Sequence, residues 1–270
     1  MKNLFKALID FIKGLFKKEE PIVSEPSVES GETITVTEPI HEEEPKEESG
    51  TTEETITLTG KKSNIKILID NGHGTNTPGK RSPWCAAKVK PEIEFYEYKW
   101  NREIAKPIVD ELVRRGYDAE LLVKEESDIS LTERANRVNA FCKKLGAANC
   151  ILVSIHSNAA GNGSEWMKAK GWSAYTTKGT TKSDKLAEAL YDEAEKNFKG
   201  RAIRKDMSDG DRDWEANFTV IYKSLCPAVL TENFFYDNPD DVSYILSASG
   251  REAVIKTHVD GIINYIKSLK

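Results

Sequence analysis

"KILIDNGHG", residues 66–74, is the stretch on which the fold turns. Ile67, Leu68 and Ile69 form an unbroken apolar run, the pattern of a strand covered on both faces. It stops at Asp70 and Asn71, and His73 then stands between Gly72 and Gly74. A strand buried on both faces needs helices above and below it, and the following sequence supplies them. "YKWNREIAKPIVDELVRRG" has helical spacing and closes at Gly116, with Pro107 predicting a kink or local break. "YDAELLV" reads as a strand. "SLTERANRVNAFCKKLG" reads as a helix with Ser130 as N-cap and Glu133 completing a capping box. "CILVSIH" is an apolar strand, "GWSAYTT" another, and "KSDKLAEALYDEAEKNF" a helix capped by Ser183 or Asp184. "FTVIY" and "PAVLTENFF" read as strands, and "ASGREAVIKTHVDGIINYIKSL" as the final helix. Alternating strands and helices predict a single α/β domain with a largely parallel sheet. In such sheets functional groups gather at the carboxyl ends of strands.

This domain is expected to occupy residues 61–270 of a 270-residue chain, ample for a buried core. The net charge of −5 is unevenly spread. Residues 1–18 hold five Lys and one Asp, and residues 19–60 thirteen Glu and one Lys, while the remainder is slightly basic at +3. A weakly basic body suits an anionic polymer and lacks the dense Lys/Arg face of a nucleic-acid binder. "MKNLFKALIDFIKGLFKK" places Leu4, Leu8, Phe11 and Leu15 on one helical side and lysines toward the other. This predicts a basic amphipathic helix that lies on an anionic membrane surface, too short to span one. Packing on a partner or on its own domain is the alternative. Asp10, Lys13 and the lack of a small-residue cleavage site argue against a secretory signal peptide. Residues 19–60 are rich in Glu, Ser, Thr and Pro, without aromatics, and are expected to form a disordered acidic tether. Cys85, Cys142, Cys150 and Cys226 show no CxxC spacing. They read as free thiols rather than a zinc knuckle, although an even count permits disulfides.

Two apolar strands end in histidine: His73 after "ILID", and His156 in "CILVSIH". A third, "PAVLTE", ends in Glu232. Imidazoles and carboxylates at neighbouring strand ends are what a catalytic zinc takes as ligands, leaving one position for water. The third ligand is sought in the helix after His73, with Glu92, Glu94, Glu97 and Glu103 as candidates. The core face of that helix runs through Ile104, Ile108 and Leu112. Projected back by four and three residues, it passes Trp100 or Asn101 and reaches Glu97. Glu94 remains the alternative, and Glu103 falls on the outer face. His258, late in the last helix, reads as an ordinary core residue.

"IDNGHG", "EYKWNREIA", "SLTERANRVNAF", "LVSIHSNAAG" and "PAVLTENFFYDN" occur in an order that resembles the zinc-dependent N-acetylmuramoyl-L-alanine amidases of the Amidase_3 type. The resemblance covers nearly the whole folded domain, and "SIHSNA" with "PAVLTE" is its most specific part. It implies a six-stranded, mostly parallel sheet flanked by helices. It also implies one Zn2+ on His73, Glu97 and His156, and Glu232 as catalytic acid/base. This chain has Asn71 where the family usually has proline, and Thr75 where a second glycine is common. Its segment between His73 and Glu97 is longer than in many members.

The implied reaction is hydrolysis of the amide between N-acetylmuramic acid and the L-alanine of the peptidoglycan stem peptide. Zinc polarises the carbonyl and acidifies a water, and Glu232 moves the proton to the leaving amine. Asp70 is expected either to orient His73 or to make a plain turn. Arg134 and Asn139 read as structural. Trp84, Asn158 and the Ser164–Gly171 loop are expected to grip substrate. Gly72 and Gly74 are expected to clear space for the metal and its bulky substrate. The implied setting is the cell wall, in remodelling or phage-type lysis. The rival readings are a zinc peptidase acting on another bond and a tethered wall-binding module without activity.

Overall fold

The computed structural model describes residues 63–269. The expected helix at 1–18 and tether at 19–60 lie outside the described residues. The described part contains a six-stranded sheet in the order β2-β1-β3-β6-β4-β5. The strands are β1 Lys66–Asn71, β2 Asp118–Leu121, β3 Cys150–Asn158, β4 Ser173–Thr176, β5 Trp214–Glu215 and β6 Ala228–Phe235. The first four in spatial order are parallel, and β4 pairs antiparallel with β6. β1 and the first six residues of β3 are buried throughout, as an apolar run covered on both faces requires.

Among the described residues, seven α-helices flank or border the sheet: α1 Pro83–Ala87, α2 Glu97–Arg114, α3 Leu131–Leu145, α4 Lys182–Asn197, α5 Thr219–Tyr222, α6 Pro239–Leu246 and α7 Ala248–Ser268. α2 buries Ile104, Ile108 and Leu112, the face read from its spacing. Pro107 is buried inside α2 and does not break it, correcting the expected local break. Leu122, Val138, Cys142, Leu152, Val220 and Ile221 belong to one core cluster of buried side chains. All four cysteines are free.

Three local expectations are corrected. "FTVIY" is the helical turn α5, not a strand. Val220 and Ile221 are both buried while Tyr222 is exposed. Adjacent buried residues fit one side of a turn, whereas a strand would alternate them. The sixth strand is instead the two-residue β5, too short to show a period. At α3, Ser130 accepts from the Glu133 amide at 3.1 Å. The Glu133 carboxylate turns to Arg137, so the expected capping box is only half made. The complete box lies at α4, where Thr181 is the N-cap and Asp184 reaches back to it, displacing both Ser183 and Asp184 as caps. A missed element, α6, carries a readable signal: Asn238 caps it, Pro239 opens it and two aspartates follow.

Candidate metal centre

β1 and β3 are neighbours, and β3 and β6 are neighbours, so their carboxyl ends deliver side chains to one place. His156 is in register with Glu232 on the adjacent strand. His73 follows β1 with φ of 66°, a left-handed conformation uncommon for a residue with a side chain. Glu97 is the first residue of α2 and 1% exposed. Its amide donates to the Lys80 carbonyl at 3.0 Å, which ties the 75–92 segment to the site.

His73, Glu97 and His156 each offer a ligand atom, all within 4.8 Å of one another. Glu97 Oε1 lies 3.1 Å from His156 Nδ1 and accepts from the Ser157 amide at 3.0 Å. Glu97 Oε2 lies 3.3 Å from His73 Nε2 but makes no hydrogen bond. The two imidazoles meet edge to face, with centroids 4.8 Å apart. Burial alone would raise the Glu97 carboxyl, but the His156 hydrogen bond and the charge of both imidazoles outweigh it and hold it far below the usual range. Burial pushes His156 the other way, and Glu97 outweighs that too, so the imidazole is raised. A buried carboxylate oxygen without a donor is costly, and a cation between these three side chains removes that cost. Two imidazoles and a carboxylate are donors that zinc accepts. The residues present therefore fit a metal ion.

Glu232 is half-buried beside this group, and its Oε2 has no hydrogen-bond partner. Burial pushes its carboxyl up to about 8; Glu97 adds to that, while His156 and Lys80 pull it back. The other glutamates weighed for the third ligand lie elsewhere. Glu92 and Glu94 are exposed, and Glu103 pairs with Arg251.

Gly72 clears space, but for a neighbour. A Cβ there would lie 2.2 Å from Cε1 of His156, so the glycine makes room for the second imidazole. A Cβ at Gly74 would lie 2.0 Å from the Asp128 amide nitrogen, so that glycine admits a backbone and not a substrate. Asp70 does not hold the His73 ring. Its carboxylate accepts from the Arg134 guanidinium and, at 2.6 Å, from Ser154 Oγ. Arg134 also donates to the Asn71 carbonyl at 3.3 Å and the His73 carbonyl at 3.2 Å, so Asp70 acts on His73 only through that arginine.

Asn158 Oδ1 accepts from the next amide, Ala159, at 2.8 Å, a turn contact. Trp84 is half-buried under Lys88, whose Nζ is 4.1 Å from the ring centroid. The Ser164–Gly171 loop is fastened to the segment after β6. Met167 donates to the Asp237 carbonyl at 2.7 Å, and Gly171 to Asp241 Oδ2 at the same distance. Trp166 Nε1 donates to the Val89 carbonyl at 3.4 Å, so this loop touches the 75–92 segment. That segment also lines a groove of about 570 Å³ with Thr75, Lys80, Arg81, Tyr96 and Tyr98.

Two supporting residues were not singled out from the sequence. Asn233 Nδ2 donates to the His156 carbonyl at 2.9 Å, and its Oδ1 accepts from Trp172 at 2.9 Å. Asn101 Nδ2 donates to the Gly72 carbonyl at 3.1 Å. A polar residue on a buried helix face or inside an apolar strand was the available signal.

A mostly parallel α/β sheet thus carries, at the carboxyl ends of its strands, a His/Glu/His group that fits a metal ion and a glutamate beside it, the arrangement of a hydrolase domain. The chain belongs to the Amidase_3 family of N-acetylmuramoyl-L-alanine amidases, whose family model matches residues 67–264. It is 28% identical over 209 residues to the endolysin of Bacillus phage SPP1, covering 76% of this chain and 67% of that protein. It is 27% identical over 201 residues to the N-acetylmuramoyl-L-alanine amidase CwlM of Bacillus licheniformis, covering 73% and 67%. Among solved structures, the N-acetylmuramoyl-L-alanine amidase of Clostridium difficile 630 superposes with a TM-score of 0.63 at 27% identity, over 77% of this chain and all of that one. AmiC2 of Nostoc punctiforme shares the fold, with a TM-score of 0.59 at 21% identity over 76% and 98%.

Proposed function

We propose that this domain hydrolyses the amide between N-acetylmuramic acid and L-alanine in peptidoglycan, with His73, Glu97 and His156 holding one zinc ion. The observation that carries this reading is the convergence of those three side chains beside an unpaired Glu232. Zinc bound there supplies Lewis acidity to the amide carbonyl and makes a water easier to deprotonate. Glu232 takes the proton from the attacking water and delivers it to the leaving amine. A carboxyl raised toward neutrality suits both halves of that transfer. Ser157 and Asn233 fix the ligands, one through the Glu97 carboxylate and one through the His156 backbone. The 75–92 segment and the Ser164–Gly171 loop are read as the walls that receive the glycan and peptide.

Digestion of purified peptidoglycan tests the bond. The expected products are free L-alanine amino termini without new reducing sugars. New reducing ends, or amines released only from other residues, overturn the assignment, the second in favour of a peptidase. Glu232→Gln is expected to lower kcat at least about 10²-fold, with zinc content unchanged. Full activity in that variant removes Glu232 as the acid/base, and an inert wild-type chain with zinc bound favours the wall-binding reading.

The family and its endolysin relative fit action at the cell wall. We further propose that residues 1–18, with five lysines, rest on an anionic membrane surface while residues 19–60 act as a tether. No helix among the described residues is long and apolar enough to cross a membrane.

A further inference from the structure

The groove of about 570 Å³ along the 75–92 segment is built directly onto the His/Glu/His group. Its lining includes Thr75, two residues after His73, and Tyr96 and Tyr98, the chain neighbours of Glu97. The Lys80 carbonyl holds the Glu97 amide at 3.0 Å, and Arg81 forms an antiparallel bridge with Tyr96. The wall is already shaped. Thr77 Oγ1 accepts from the Gly74 amide at 3.0 Å and donates to Asp128 Oδ2 at 2.5 Å. Asn76 Oδ1 accepts from the Asp128 amide at 2.6 Å, and the Thr75 amide donates to the Glu126 carbonyl at 2.9 Å.

The charge of this groove has one sign. Lys80 and Arg81 both line it, and no carboxylate does. Lys80 is exposed and Arg81 half-buried. Among the described residues neither side chain forms an ion pair or a hydrogen bond. A cleft lined by one sign of charge gathers groups of the other sign. Tyr96 and Tyr98, with ring centroids 6.2 Å apart, give the groove flat apolar surface beside those cations.

A peptidoglycan substrate carries its charge on one side of the cleaved bond. The carboxyl of the muramic acid is consumed in the amide to be cut, so the sugar at the centre is uncharged. The stem peptide does carry carboxylates. Its second residue is a D-glutamate linked through the γ-carboxyl, and its α-carboxyl is either free or amidated. That group stands one residue beyond the L-alanine, about 3.5 Å of extended chain. The groove begins at the residues next to His73 and Glu97, within such a reach of the centre.

We propose that Lys80 and Arg81 bind this carboxylate, so that the groove takes the stem peptide and favours walls in which the second stem residue is not amidated. The proposal rests on the amidase reading and adds which half of the substrate the groove receives and which group it selects.

The test uses the full chain loaded with zinc and two soluble, uncross-linked glycan strands. They are identical except that the second stem residue carries a free carboxylate or a primary amide. Release of L-alanine amino termini is followed at low ionic strength. kcat/KM is expected to be about 10- to 100-fold higher on the carboxylate strand, as hydrogen bonds between charged groups imply. Added salt should narrow that preference. Lys80→Gln and Arg81→Gln are each expected to cut the preference about 5- to 10-fold with zinc content unchanged, and Arg81→Lys to keep most of it. The readout is the ratio between strands, because Lys80 also acts on Glu232 and that effect falls on both strands alike. Equal cleavage of the two strands by the wild type overturns the proposal and leaves the amidase reading standing. A full preference in the chain carrying both Lys80→Gln and Arg81→Gln overturns it as well. No L-alanine amino termini from either strand overturns the amidase reading, and the proposal falls with it.

Discussion

Gly72 shows how one missing atom shapes the centre. The His156 ring occupies the space a Cβ would need. Gly72→Ala is expected to push that imidazole away from Glu97 and weaken zinc affinity about 10- to 100-fold, as outer-contact changes at metal sites do. Competition with a chromophoric chelator checks this, and circular dichroism should show the fold retained. His258 is the other informative histidine. It is fully buried, with Nδ1 2.8 Å from the Val254 carbonyl and Nε2 2.9 Å from Thr231 Oγ1. Nδ1–H donates and Nε2 accepts, which satisfies a neutral ring. Burial lowers its pKa to about 4, below the value of about 6.5 in an unfolded chain. As pH falls below 6.5 the unfolded chain takes up a proton that the folded chain refuses. Stability is therefore lost between about 6.5 and 4, by about 3 kcal/mol in all, and no further below that window. Urea titrations at pH 7 and pH 4.5 should show this loss in the wild type and a smaller one in His258→Gln. Equal losses in both would remove His258 as the cause.

At the scale of elements, Arg134 joins α3 to the end of β1. Its guanidinium is 1% exposed, meets Asp70, and donates to Asp128 Oδ1 at 2.7 Å. Reading it as structural from the sequence placed it correctly in the helix, but not its partners, which lie 64 residues away at Asp70 and six residues away at Asp128. Arg134→Met is expected to destabilise the domain by about 3–5 kcal/mol, because it strands the buried Asp70 carboxylate. Equilibrium denaturation measures this, and Arg134→Met with Asp70→Asn should recover part of the loss. The cap of α4 offers a smaller test. Thr181 accepts from the Ser183 amide at 3.0 Å, and Thr181→Ala is expected to cost about 1 kcal/mol. The elements most legible in the sequence were long and periodic, such as α2 and α7, or short and wholly apolar, such as β1 and β3. "FTVIY" misled because five apolar-rich residues fit a strand and a helical turn equally well. Only the core cluster that receives Val220 and Ile221 decides between them.

At the scale of the whole molecule, the charge pattern divides the chain into a basic start, an acidic stretch and a nearly neutral catalytic domain. If the start rests on membranes, the full chain should float with vesicles containing phosphatidylglycerol and a chain lacking residues 1–18 should not. Added salt should weaken the flotation, because the attraction is screened. Equal behaviour of the two chains ends that reading. The sequence by itself determined the α/β class and the residues that meet at the centre. Apolar strands announce their own burial, and the polar residue that ends each one is marked by contrast. Helical period was enough to aim Glu97 inward. Tertiary structure alone decided what Gly72 makes room for, whom Asp70 pairs with, and that Thr176 meets the buried Asp213. Each depends on a contact between side chains whose meeting is set by the order of strands in the sheet, and no local period encodes that order.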